Sequence, residues 1–224
     1  MRVSPAPASP PAWGAFTRGR PGRRCAPAAV CVPCDYDRTS GLEFPHSIWD
    51  GLQTRLKAVV YTDTPTDQLT CTWDFGDGSD PITGAISNKR VVETTHLYEG
   101  TPGTLYTATL TVHDPVHGNL VDSYPVRIHE RDLSVEVNAA IDEGLWWLHK
   151  NQNSDGSWPS YSSYRAGSTA SAVHAMEING HVPTRPISLD PLVDDVQRGL
   201  RKMFKRSVTG LSRPVRTTRR RSHV

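Results

Sequence analysis

The chain has 224 residues and a mass of 24.7 kDa, which gives room for one or two domains. Its apolar content of 37% and mean hydropathy of −0.47 argue against a single dense core filling the whole chain. No run approaches the ~18–20 consecutive apolar residues of a spanning helix, which excludes a helical membrane span. The net charge of +2 conceals a strong asymmetry. Residues 1–34 carry five Arg and no acid, and residues 201–224 carry nine Lys or Arg and no acid. The intervening residues 35–200 keep 11 basic against 23 acidic side chains, an acidic body between two cationic ends.

Residues 1–46 read as a disordered Pro/Arg-rich arm. Seven of the 18 prolines fall within the first 34 residues, where each removes a donor and fixes φ. The apolar run Cys25 to Val32 behind Arg23-Arg24 is too short, and too broken by Pro27 and Pro33, for the hydrophobic stretch of an export signal. Cys31 and Cys34 form one C-x-x-C pair without the second pair that a zinc site needs, and Cys71 lies in a predicted strand facing inward.

From residue 47 to 130 short runs alternate with period two. Leu56, Ala58 and Val60 alternate with Arg55, Lys57 and Val59, and Cys71, Trp73 and Phe75 with Thr70, Thr72 and Asp74. Tyr106, Ala108, Leu110 and Val112 follow, then Tyr124, Val126 and Ile128. Strands with one buried face, separated by turn residues, predict an all-β antiparallel sandwich of immunoglobulin type.

The segment Thr72-Trp73-Asp74-Phe75-Gly76-Asp77-Gly78-Ser79 resembles the W-D-F-G-D-G-S signature of the PKD (polycystic kidney disease) domain family. His96-Leu97-Tyr98 resembles that family's H-x-Y, and Tyr106 to Val112 its Y-T-V-T-L-T-V strand. The resemblance implies an Ig-like sandwich on an extracellular or cell-surface protein, in contact with a protein or polysaccharide surface. Within the motif, Trp73 and Phe75 are expected to plug the core, Gly76 and Gly78 to allow a tight turn, and Asp74 and Asp77 to accept hydrogen bonds from its amides. As a calcium site, the carboxylate pair Asp74 and Asp77 falls short of the about six to eight oxygens that the ion prefers, and residues of a signature turn are expected to be structural rather than acid–base catalysts.

After Asp132 the period changes to about 3.6, with Val137, Ile141, Leu145 and Leu148 on one expected inner face beside Ala140 and Trp147. Asp132 or Ser134 caps this predicted helix, which ends near Gln152. A second predicted helix, about 169–178, turns Ala172, Val173 and Met176 inward and stops at Asn179-Gly180. Gly144 to Trp158 is similar to the Q-W repeat of the squalene cyclase and prenyltransferase α/α-toroid families, G-x-x-W-L-x-x-x-Q-x-x-D-G-S-W. In those families the Gln and Trp tie a helix end to the next repeat, which implies structural roles for Gln152, Gly156 and Trp158. Residues 132–206 therefore read as a partial toroid repeat, followed by a disordered basic tail over 207–224.

Leu192-Val193-Asp194-Asp195 lacks the first acid of the cyclase D-x-D-D motif. No nucleophile elbow, phosphate loop or dinucleotide fingerprint occurs. Arg18-Gly19-Arg20 and Arg219-Arg220-Arg221 lack the aromatic platform that specific nucleic-acid recognition uses. The sequence is thus read as a non-enzymatic extracellular or cell-surface binding or spacer module. The alternative is a fragment of a terpenoid cyclase or prenyltransferase-like toroid protein that needs further repeats or a partner chain.

Overall fold

The computed structural model of the chain describes residues 26–36, 43–86, 90–159 and 164–210. The basic clusters at Arg18–Arg20 and Arg219–Arg221, and the thiol of Cys25, lie outside the described residues.

Among the described residues ten strands and three α-helices follow in order, with one 3-10 turn at Thr66–Gln68. The strands are β1 (Ala28–Cys31), β2 (Asp35–Tyr36), β3 (Glu43–Phe44), β4 (His46–Trp49), β5 (Gln53–Tyr61), β6 (Thr70–Asp74), β7 (Ile82–Ala85), β8 (Val91–Leu97), β9 (Leu105–Asp114) and β10 (Gly118–His129). The helices are α1 (Leu133–Asn151), α2 (Arg165–Ile178) and α3 (Leu192–Gly210). A three-stranded sheet β1-β5-β8 faces a five-stranded sheet β4-β10-β9-β6-β7, with β2 and β3 as a short ribbon. All pairs are antiparallel except β4 with β10.

The expected alternation places the core. Leu56, Ala58, Val60, Cys71, Trp73, Phe75, Ala108, Leu110, Val112, Tyr124, Val126 and Ile128 are all buried between the two sheets. Pleating sends every second side chain inward, so these period-two runs meet across the sandwich.

Two expectations about the ends of the sandwich are corrected. The arm assigned to residues 1–46 contains β1, which pairs with β5 from Ala28↔Tyr61 to Cys31↔Ala58 and buries Ala29, Val30, Cys31 and Val32. The prolines at 27 and 33 flank this strand, where a missing donor costs no ladder bond. Residues 207–210, assigned to the basic tail, belong to α3, which runs to Gly210.

The larger correction concerns the outer face of the three-stranded sheet. Arg55, Lys57 and Val59 belong to the predicted solvent side of β5, yet Lys57 and Val59 are buried. The helices lie on that face. A second core joins Val32, Val59 and Val91 of the sheet side to Leu145 and Trp146 of α1, to Trp158, and to Ala172, Val173, Met176, Leu192 and Val196 of α2 and α3. The molecule is layered as sheet, sheet, helices, with apolar cores at both junctions.

This docking also changes which side of α1 is inside. Asp132 caps α1, its carboxylate accepting from the Val135 amide at 2.9 Å. The buried residues are Val135, Leu145 and Trp146, whereas the expected inner residues Val137 and Ile141 are 46% and 38% exposed and Trp147 is 56% exposed. Helical periodicity identifies an apolar stripe, but the helix is rotated to offer Trp146 and two carboxylates to the sheet. α2 matches expectation at Ala172, Val173 and Met176. Gly199 of α3 lets it approach α2 closely, since a Cβ there would stand 2.5 Å from Val173 Cγ2.

Candidate functional site

Polar chemistry concentrates in three places. The first is the turn after β6, where the predicted signature residues converge. The Asp74 carboxylate accepts from the Gly76 amide at 3.0 Å. Asp77 accepts from the Ser79 amide at 3.0 Å and from its hydroxyl at 2.6 Å. The other oxygen of Asp77 takes the His96 Nε2–H at 2.6 Å, and the His96 ring stacks on Phe75 at 3.8 Å. Tyr98 donates to the Phe75 carbonyl at 3.2 Å and packs against Tyr106, whose hydroxyl donates to the Glu99 carbonyl at 2.8 Å. Trp73 meets Tyr124 edge to face in the core. Gly76 has φ +73°, and a Cβ there would lie 2.3 Å from the Thr107 carbonyl oxygen of β9, so the turn requires glycine. Burial raises the Asp77 pKa, but the Ser79 hydroxyl, the His96 side chain and the Ser79 amide together outweigh it and bring it down to about 2.

Asp114, at the end of β9, is built alike. Burial again acts upward, and the Thr62 hydroxyl, the Val116 amide, the Thr64 hydroxyl and the His117 amide bring its pKa down to about 2. Both carboxyls sit below their unfolded value of about 3.9, so each stabilises the fold above about pH 4, and that contribution is lost as the pH falls toward 2. Calorimetry is expected to show the melting temperature dropping over this interval. Asp77→Asn and Asp114→Asn, already less stable at pH 7, are expected to show a smaller drop.

The second place is the junction of β4 and β5 with α1, where a charged cluster clasps helix to sheet. Lys57 Nζ donates to Asp142 Oδ2 at 2.7 Å and stands 3.1 Å from Glu143 Oε1, its side chain fully buried. His46 donates Nε2–H to the Val32 carbonyl at 3.0 Å, and its Nδ1 is 3.1 Å from both Asp142 Oδ2 and the Tyr124 hydroxyl. The His46 ring stacks on Tyr124 at 4.0 Å. Arg55 donates from Nε to Glu143 at 3.0 Å, and Glu93 of β8 receives the Trp146 indole N–H at 2.7 Å and Lys150 at 3.0 Å. Burial raises the Asp142 pKa; His46 and Lys57 reverse this and hold it well below the usual carboxylate range. None of these residues was singled out in the sequence. Their signal was Val59, Tyr61 and Val91, apolar residues on strands whose outer face reads as polar, opposite an Asp-Glu pair on α1.

The third place is the far end of α1. Gln152 donates to the Asp195 carbonyl of α3 at 2.8 Å and to the Gly156 carbonyl at 3.2 Å. Trp158 is buried and donates its indole N–H to the Leu148 carbonyl at 2.8 Å. Gly156 has φ +84°, and a Cβ would stand 2.5 Å from the Arg198 carbonyl oxygen. His149 Nδ1 lies 2.6 Å from Asp195 Oδ2. Burial and then the neighbouring Asp195 push the Asp194 carboxyl up.

Among the described residues no group of three or more His, Cys, Asp or Glu is placed to hold a metal, and no helix is long and apolar enough to cross a membrane. Asp74 and Asp77 spend their oxygens on the turn and on His96 rather than converging on a common point. Cys71 is buried in the core, where desolvation raises its thiol pKa against a weak hydrogen bond to the Gly84 carbonyl.

The helical layer covers the outer face of the three-stranded sheet and leaves that of the five-stranded sheet open. Thr72 of β6 stands between Thr111 of β9 and Thr83 of β7, and Thr109 lies opposite Ser123 of β10. These side chains form a flat hydroxyl-bearing surface, with Thr72 Oγ1 within 3.1 Å of Thr83 Oγ1 and of His113 Nε2.

Comparison with known proteins bears on the sandwich. Residues 40–122 match the family model of the PKD domain. No curated protein matches the chain. Among solved structures, the PKD domain of an M14-like peptidase from Thermoplasmatales archaeon SCGC AB-540-F20 is 16% identical, covering 46% of this chain and 93% of that one with a TM-score of 0.32. The PKD1 domain of Vibrio anguillarum Epp is 19% identical, covering 48% and 98% with a TM-score of 0.26. A superoxide reductase (neelaredoxin) from Ignicoccus hospitalis is 11% identical, covering 39% and 77% with a TM-score of 0.31.

Proposed function

We propose that this chain is a non-catalytic extracellular or cell-surface module that binds a protein or polysaccharide surface through the open face of its five-stranded sheet. The observation that carries the reading is the asymmetry of the sandwich: a helical layer seals one sheet, and a flat hydroxyl-rich face remains on the other. The PKD match over residues 40–122 supports a binding or spacer role for this part of the chain. The ionisable groups support it as well. Asp74, Asp77, Asp114 and Asp142 are each engaged in hydrogen bonds that hold a turn or a layer together.

The test is retention of the full chain on insoluble cellulose, chitin and fibrillar collagen, compared with the double variant Thr109→Arg and Thr111→Arg. Both positions are partly exposed on β9 and can place an arginine in solvent, so the fold is expected to survive. Retention on at least one matrix, lost in the variant at unchanged melting temperature, is the expected result. Retention on none of the three, or equal retention of the variant, would contradict the proposed face.

A further inference from the structure

Beside the clasp, between β4, the end of β10 and α1, runs a groove of about 280 Å³. Its volume lies just under the ~300–1,000 Å³ usual for small-molecule sites, too little to seat another folded surface. The apolar part of the wall comes from Phe44, Ile141 and Leu145, of which Phe44 is 48% exposed and Ile141 38% exposed. The polar part includes Arg127, His129 and Asn138.

Arg127 and His129 are two residues apart on β10, so pleating turns both to the same outer face. Neither side chain has a hydrogen-bond or ion-pair partner among the described residues. Among the described residues Asp142 is the one carboxylate in the groove wall, and it is held by Lys57 and His46 on the clasp side. The exposed Arg127 thus lines a recess of mixed polar and apolar wall in which no carboxylate of the described residues is left over to meet it, and a guanidinium fork matches a carboxylate in two-point geometry.

We propose that this groove is a binding site for a small free carboxylic acid with an apolar body, the carboxylate on Arg127 with His129 and Asn138 beside it, the body against Phe44, Ile141 and Leu145. The groove lies at the β4 end of the same sheet face, four residues along β10 from Ser123, and neither proposal depends on the other.

The probe is 3-phenylpropionate, titrated into the isotopically labelled full chain by NMR, with 3-phenylpropanamide as its uncharged counterpart and acetate as the charge without the body. The acid is expected to shift the amide signals around Arg127, His129 and Ile141, with the amide and acetate each binding about tenfold more weakly or less. Arg127→Met is expected to lose about tenfold in affinity at unchanged melting temperature, because that side chain supports nothing else. Ile141→Ser, which keeps the charge and removes apolar wall, is expected to weaken binding of the acid while leaving acetate unaffected. Equal affinity for acid and amide, unchanged affinity in Arg127→Met, or no shift at millimolar acid would overturn the assignment.

Discussion

Asp142→Ala is expected to destabilise the protein by about 2–4 kcal/mol, because it leaves a fully buried lysine ammonium with only the half-exposed Glu143 and strips His46 of its carboxylate. A typical domain has only about 5–15 kcal/mol in hand, so this single carboxylate would consume a large share. The pairing itself is not the source of that much stability. Taking Lys57 and Asp142 out of water costs nearly what their attraction returns, and the loss comes from breaking one side only. The double variant Lys57→Met with Asp142→Leu is therefore expected to recover most of the deficit. Chemical denaturation of Asp142→Ala and of the double variant measures both effects. An Asp142→Ala variant within about 1 kcal/mol of the parent would mean that water reaches Lys57 and that the clasp is not sealed.

Gly76→Ala is expected to cost about 3 kcal/mol or more, and Gly78→Ala only about 1–2 kcal/mol, although both glycines have positive φ and lie two residues apart. The left-handed backbone penalises both. At Gly78 nothing lies within 4 Å of the added Cβ, whereas at Gly76 the carbonyl of Thr107 is 2.3 Å away on a central strand of the sheet. That strand cannot yield without disturbing its pairing with β6 and β10. Equal losses in the two variants, read from denaturation midpoints, would remove the close approach as the reason for glycine in the signature turn.

The turn is set by local sequence and the clasp is not. The turn and the inter-sheet core are local: period-two runs name Trp73, Phe75, Leu110 and Val126 as inward, and an Asp two residues before an amide accounts for its own hydrogen bond. The clasp joins His46 and Lys57 to a carboxylate 96 and 85 positions away, and no local rule sets that register. Lys57 between Leu56 and Ala58 reads as a solvent position, and only the helix laid over it makes it a buried one. β1 was obscured for a related reason. Its prolines forbid an interior strand, but residues 28–31 lie between them and sit at the edge of the sheet. On α1 the 3.6-residue period was legible and its orientation was not, because Trp146 and the Asp142-Glu143 pair, rather than Val137 and Ile141, match what the sheet presents.

The helices form a third layer on the sandwich rather than an independent appendage. Limited proteolysis of the full chain with intact-mass readout tests this directly. The cooperative arrangement predicts one protected fragment that contains β1 and runs past Met203, with Glu130–Asp132 uncut although those residues are exposed. Early cleavage at Glu130–Asp132, leaving a stable sandwich and a separately digested helical part, would contradict it.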